Sequence, residues 1–262
     1  MRRNKLREML NAGQPTIGTQ LHNSWPSVVE VVGHTGLFDY VEFDATYAPF
    51  DLHTLDNFCR AVELHGMAAM MKVDQEPQRF LAQRAIGAGF QSLLFADSRS
   101  AAEARECVRA VRPETPEAGG LHGVALRRAT YMRDAGTPAY VQALKDVVVV
   151  LMMEKKSAVE HLEELLSVPG VDMIQCGLGD YSLSVGRPGE WNNPDLKAVE
   201  RRIIETCLKM KVLPRAELSS VDQAKYYLDL GVHHFCMGTD LYILYDWLKR
   251  NGENLRKVIS GG

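Results

Sequence analysis

Short, almost wholly apolar runs alternate along this chain with longer stretches in which apolar residues recur every three or four positions. Eight of the runs read as strands: Thr16–Leu21, Asp39–Asp44, Ala68–Val73, Gln91–Ala96, Val147–Glu154, Val171–Gly177, Lys211–Ala216 and His233–Gly238. Near-continuous apolar runs suit strands buried on both faces, the condition of a parallel sheet. The intervals carry helical spacing. Val159, Leu162, Leu165 and Leu166 form one stripe, and Val221, Ala224, Tyr227 and Leu228 form another. Glycines stand where these patterns stop, at Gly66, Gly170 and Gly231. A helix commonly ends on a residue in the left-handed conformation, which glycine adopts without a steric cost. A glycine followed by an apolar run also recurs at Gly36, Gly89, Gly170 and Gly231, the punctuation of repeated helix–strand units.

Eight strands in helix–strand alternation predict an α/β fold, a closed (β/α)8 TIM barrel formed as a single domain by residues 1–262. An open doubly wound sheet would usually have about five to seven strands and a glycine-rich phosphate turn after the first. Neither GxGxxG nor GxxxxGK[ST] occurs. Two stretches fall outside the rhythm. Residues 112–143 form a long connection rich in Pro, Gly and charge, placed to cover the barrel mouth. Tyr242–Val258 reads as a final helix whose apolar face (Leu244, Trp247, Leu248) is placed to pack on the barrel or on a neighbouring subunit.

Composition narrows the class without changing it. The chain has 262 residues, 46% hydrophobic and 24% charged, with net charge −3, so it can bury one large core. The scattered Lys and Arg lack the basic face of a nucleic-acid-binding protein. No apolar run approaches the roughly 20 residues of a membrane span. The basic start, Met1 to Arg7, leads into no apolar segment, so no secretory signal is read and a cytoplasmic location is expected. Five cysteines (Cys59, Cys107, Cys176, Cys207, Cys236) without CxxC spacing read as buried free thiols.

In a parallel barrel the chemistry sits at the C-terminal ends of the strands. Asp44 ends the second strand, Lys72 lies near the end of the third, Glu154 ends the fifth, and the sixth runs into Gly177-Leu-Gly-Asp180. Two hard carboxylates, Glu154 and Asp180, from adjacent strands suit Mg²⁺ or Mn²⁺, with water and a chelating substrate completing the shell. Gly177 and Gly179 would let backbone approach that ligand closely. The alternative is that each acid caps the helix after it. Lys72 could form a Schiff base, hold a carboxylate as a point charge, or simply reach from the rim to solvent. His233 and His234 are adjacent in a strand and so point to opposite faces. His22 ends the first strand and could face the mouth or serve the structure. Ser182 and Ser184 lack a nucleophile elbow, which disfavours serine hydrolysis.

At these residues the chain resembles the HpcH/HpaI aldolase family. The resemblance runs through Lys5 to Thr19, Gly36-Leu-Phe-Asp-Tyr-Val-Glu-Phe-Asp44, Gly89 to Phe95, Ala101 to Arg105, Met153-Glu154, Val168 to Asp172, Gly177-Leu-Gly-Asp180-Tyr-Ser-Leu183 and Gly238-Thr-Asp240. It implies a (β/α)8 barrel and a carbon–carbon lyase that cleaves 2-keto-4-hydroxy acids to pyruvate, or a related 2-oxo acid, and an aldehyde. It also implies a divalent cation, Mg²⁺, Mn²⁺ or Co²⁺, on Glu154 and Asp180, a small-molecule 2-oxo acid as the only partner besides its own copies, and a homo-oligomer, commonly a hexamer.

The chain departs from that family at three places. The family's Asp-x-Glu-His reads Asp44-Ala-Thr46-Tyr47 here, its third-strand arginine is Lys72, and the glutamine before its metal-binding glutamate region is Met152. The resemblance then implies catalytic roles for Asp44, Tyr47 and Lys72, and a substrate seat formed by Lys72, Met152, Gly177 and Gly179. Tyrosine titrates near 10 and histidine near neutrality, so Tyr47 suits a proton donor better than a base. Lys72 keeps the charge of an arginine but loses its bidentate fork. Two other readings remain: another reaction of a metal-stabilised enolate, such as decarboxylation, and a non-catalytic barrel that binds a metal and a keto acid.

Overall fold

The computed structural model describes residues 2–124 and 133–260. All eight expected strands are present: β1 Thr16–Leu21, β2 Tyr40–Asp44, β3 Ala68–Val73, β4 Ser92–Phe95, β5 Val148–Met153, β6 Met173–Cys176, β7 Leu213–Leu218 and β8 His234–Thr239. They pair in chain order, all parallel, and β8 returns to β1 to close the barrel. Closure leaves no sheet edge, and the strand-to-helix order sets every strand's C-terminal end on one rim.

Side chains alternate between two cores, as the two-residue period of a strand requires. Phe43, Met71, Phe95, Val149 and Leu151 point outward and join the helices α2 Pro26–His34, α3 Leu52–Leu64, α4 Gln78–Ala88 and α5 Ala101–Val111 in one large cluster. Tyr40, Met70, Leu94, Val148, Val150, Met152 and Met173 point inward. The inner cluster is closed from below by Leu6 and Leu10 of the first helix, α1 Lys5–Asn11. Leu6 is fully buried, and a leucine so placed contributes roughly 1.5–3 kcal/mol. The Arg7 guanidinium locks the plug by donating to both carboxylate oxygens of Asp172, at 2.7 and 2.6 Å. The N-terminal end is therefore stoppered and the C-terminal end is open.

Several boundaries differ from the sequence reading for local reasons. β7 lies two residues later than the expected Lys211–Ala216, because Lys211 caps the preceding helix in the left-handed region (φ 62°). The stripe Val159, Leu162, Leu165 and Leu166 is buried, though split over two short helices. The second stripe fails: Tyr227 is buried, but Val221 sits in a 3-10 turn and is exposed, as is Leu228. His234 is buried and His233 exposed, on opposite faces as expected.

The long connection does not cover the mouth in its described parts. Gln83 donates to the Leu121 carbonyl, the Leu121 N–H donates to the Arg109 carbonyl, and Arg112 donates to the carbonyl of Val147. These contacts lay it over α4 and α5 and toward the start of β5; residues 125–132 lie outside the described residues. The five cysteines are free, four of them buried. Among the described residues no helix is long and apolar enough to cross a membrane.

Candidate active site

The strand ends bring two clusters to the open rim. The first is built on Asp44, whose side chain is fully buried. Its Oδ1 accepts from the N–H and hydroxyl of Thr46, and its Oδ2 from Gln20 Nε2 (3.0 Å) and Lys72 Nζ (3.2 Å). Gln20 is itself fixed by the Thr239 hydroxyl. The Lys72 ammonium also lies 4.7 Å from the centre of the Tyr47 ring. Burial pulls the Lys72 pKa down, but Asp44, Tyr47, Glu42 and Glu154 outweigh it and hold it above the ordinary value. Lys72 is thus a lasting cation. That direction favours a point charge over a Schiff-base amine, which needs the neutral form. For Tyr47, the pull of Lys72 is outweighed by partial burial and by Asp180, Asp44 and Glu154, and its pKa is raised.

The second cluster is built on Glu154. It is buried, and its Oε1 accepts the N–H of Asp97 at 2.7 Å. Asp97 can aim that N–H because it takes the left-handed conformation (φ 60°) just past β4. Burial raises the Glu154 pKa, against the Asp97 N–H and Lys72, which lower it. A Cβ on Gly177 would lie 2.7 Å from Glu154 Oε2 and 2.9 Å from the Met152 terminal methyl. Only glycine fits there. A Cβ on Gly179 would meet nothing within 4 Å, so Gly179 borders open space. Asp180 stands in the first turn of the helix Leu178–Ser184, partly exposed. Lys155 Nζ bridges it to Asp97, at 3.1 Å from Asp180 Oδ1 and 2.6 Å from Asp97 Oδ1.

Of the residues singled out in the sequence, Asp44, Tyr47 and Lys72 share one cluster, and Glu154, Gly177 and Met152 share the other. Asp180 joins the second through Lys155 and Asp97. Met152 is buried beneath Gly177 as a floor. Among the described residues no group of three or more His, Cys, Asp or Glu side chains forms a ready metal cage. The donor set nevertheless fits a hard divalent cation with an open shell. Glu154 Oε2 makes no hydrogen bond among the described residues, the space beside it lacks a Cβ, and Asp180 follows in the first turn of the helix after the next strand.

Sequence reasoning gave no role to Asp97, Lys155, Asp240, Arg215 or Glu42. Asp97 and Lys155 follow β4 and β5, and an ionisable residue after an apolar strand is the signal that flagged Glu154 itself. Asp240 accepts the N–H groups of His22 (2.9 Å) and Asn23 (3.0 Å), tying the end of β1 to the end of β8. Beneath the rim, Arg215 pairs with Glu42, donates to Tyr40 Oη at 2.8 Å and binds Gln175, all inside the barrel. The alternation Tyr40-Val-Glu42 and Leu213-Pro-Arg215 could have placed both charges inward.

A closed parallel barrel whose ionisable groups converge on its C-terminal rim belongs among the (β/α)8-barrel enzymes. The signature of the HpcH/HpaI aldolase/citrate lyase family matches residues 18–246, and the chain belongs to that family of carbon–carbon lyases. A 4-hydroxy-2-oxo-heptane-1,7-dioate aldolase of Escherichia coli is 29% identical over 243 residues, covering 92% of this chain and 90% of that one. The crystal structure of a family protein from Burkholderia cenocepacia J2315 superposes with a TM-score of 0.87 at 26% identity, over 97% of this chain and all of that one. A citrate lyase beta subunit from M. tuberculosis, complexed with oxaloacetate and magnesium, shares the fold at a TM-score of 0.57 and 11% identity, over 87% and 93% of the two chains.

Proposed function

We propose that this chain cleaves a 2-keto-4-hydroxy acid to pyruvate, or a related 2-oxo acid, and an aldehyde. The observation that carries the reading is the gathering on one rim of Lys72, ion-paired to Asp44 and held toward its charged form, with the carboxylates Glu154 and Asp180. A divalent cation (Mg²⁺, Mn²⁺ or Co²⁺) held by Glu154 and Asp180 would supply Lewis-acid polarisation of the 2-keto group. Lys72 faces the oxygen on which enolate charge develops, and Asp44 fixes the direction of its ammonium. Tyr47, kept protonated, donates a hydrogen bond to substrate oxygen. Gly177 and Gly179 leave room for the keto acid above the Met152 floor.

The apolar outer face of the C-terminal helix, Asp240–Ile259, supports assembly with further copies of the chain, a hexamer by family resemblance. The free thiols support a reducing cytoplasm, and residues 1–262 act as one domain.

Exchange of the pyruvate methyl protons with D₂O, followed by NMR, tests this reading. Exchange should require Mn²⁺ or Mg²⁺, stop with chelator and be lost in Glu154→Ala. Absence of exchange in the wild-type protein with Mn²⁺ demonstrably bound would overturn it.

A further inference from the structure

Retro-aldol cleavage needs a group that takes the proton of the 4-hydroxyl, and the rim residues assigned above do not supply one. Lys72 and Tyr47 are both held in their protonated forms. Asp44 already accepts from Thr46 twice, from Gln20 and from Lys72. Glu154 is committed to the Asp97 N–H and to the cation it would hold.

His22 stands beside them with nothing to do. Its side chain is 14% exposed, and its Nε2 lies 3.8 Å from Asp44 Oδ2. That nitrogen is enclosed and has no hydrogen-bond partner. A buried polar atom without a partner costs about 1–3 kcal/mol, so it asks for a reason. Nδ1 makes no hydrogen bond among the described residues either, yet it is not among the enclosed atoms, so it keeps access to solvent. The ring is held in place from several sides. Tyr47 meets it edge-on at 5.7 Å and Tyr242 at 6.3 Å, and Asp240 holds its backbone N–H.

We propose that His22, oriented by Asp44, is the proton-transfer group of this site. The inference rests on the enolate chemistry proposed above. Nδ1 takes the 4-hydroxyl proton, and the electron pair left on that oxygen forms the aldehyde C=O. The C3–C4 bond breaks, its pair forms the C2–C3 double bond, and the C2 carbonyl pair moves onto O2, opposite Lys72. The imidazolium closes the 3.8 Å gap to Asp44 as a charged hydrogen bond. It then returns the proton to C3, giving the pyruvate methyl group. No oxidant or reductant enters. The charged and titratable groups around the ring are Asp44 from β2, Tyr47 from the turn after it, Lys72 from β3 behind Asp44, and Asp240 and Tyr242 from the C-terminal helix.

The test compares wild type, His22→Gln, His22→Ala and Tyr47→Phe, each loaded with Mn²⁺. The readouts are pyruvate exchange in D₂O, cleavage of 4-hydroxy-2-oxopentanoate across pH, and Mn²⁺ affinity by electron paramagnetic resonance. General acid–base groups contribute about 10²–10⁴-fold, so His22→Gln should lose about 10²-fold or more in both reactions while binding Mn²⁺ as wild type does. The acid limb of kcat/KM should vanish with it, and added imidazole should restore part of the activity of His22→Ala. Activity of His22→Gln within about threefold of wild type, a retained acid limb, or a loss of Mn²⁺ binding along with activity would each overturn the proposal. A wild-type protein that neither exchanges nor cleaves would remove the enolate reading and this inference together. An active wild type with an equally active His22→Gln would remove the inference alone.

Discussion

Lys155 shows how much one side chain decides at this rim. Its ammonium sits between Asp97 and Asp180, 17% exposed, on the carboxylate that a divalent cation would need. Like charges a few ångströms apart in such a partly enclosed place repel by about 1–3 kcal/mol. A cation bound there as proposed would require Lys155 to swing off Asp180 or would have to tolerate it nearby. Lys155→Met should tighten Mn²⁺ binding by about tenfold or more, read by electron paramagnetic resonance or calorimetry, whereas Lys155→Arg should not. Weaker binding in Lys155→Met would mean that the lysine organises the carboxylates instead of competing for them. Asp44, Lys72, Glu154 and Asp180 are legible in the sequence because an ionisable residue closing an apolar run lands on the C-terminal rim. The reach of Lys155 and the idle nitrogen of His22 are not. They depend on the left-handed turn at Asp97 and on the grip of Asp240, contacts 57 and 218 residues apart in the chain.

The C-terminal helix illustrates the same limit for an element. Its twenty residues, Asp240–Ile259, include none that are buried. Leu244, Trp247 and Leu248 are each more than half exposed, and Leu241 and Tyr245 flank them on the surface. Exposed apolar side chains gathered on one helix in this way support the assembly proposed above. The helix also starts at the site: Asp240 and Tyr242, its first and third residues, hold and flank His22. Trp247→Glu combined with Leu248→Glu should shift the protein to smaller species in size-exclusion chromatography with light scattering, leaving the barrel folded by circular dichroism. Unchanged mass would refute assembly through this face. The helix pattern is plain in the sequence, but what covers the helix is a tertiary matter. The shifted start of β7 and the failed stripe at Val221 have a similar origin. Lys211 is spent on a left-handed cap, and Ser220 and Gln223 close a capping box that holds Val221 outward.

At the scale of the molecule, the barrel interior is divided. Barrel interiors are usually filled by layers of branched apolar side chains. Here Leu6, Leu10, Met70, Leu94, Val148, Val150 and Met173 form such a filling. Gln20, Glu42, Gln175 and Arg215 replace it with a hydrogen-bonded polar lattice. His234 lies in this interior, 5% exposed, its Nδ1 3.1 Å from the Thr16 hydroxyl. Burial, and after it the nearby His233 and Arg215, lower its pKa to about 4. His122, a buried residue of the long connection, is lowered to about 4 as well, chiefly by burial. In the unfolded chain both would titrate near 6.5. Below that pH the unfolded chain binds protons that the folded one refuses, so stability is full above about pH 6.5 and falls as pH drops toward 4. Each imidazole then withdraws about 2 kcal/mol between pH 7 and pH 5. Urea unfolding at those two pH values should show the loss, and His234→Gln, which keeps a partner for Thr16 without the charge, should remove roughly half of it. If the variant lost stability as steeply as wild type, the acid sensitivity would belong to the carboxylates of the lattice and not to the histidine beneath them.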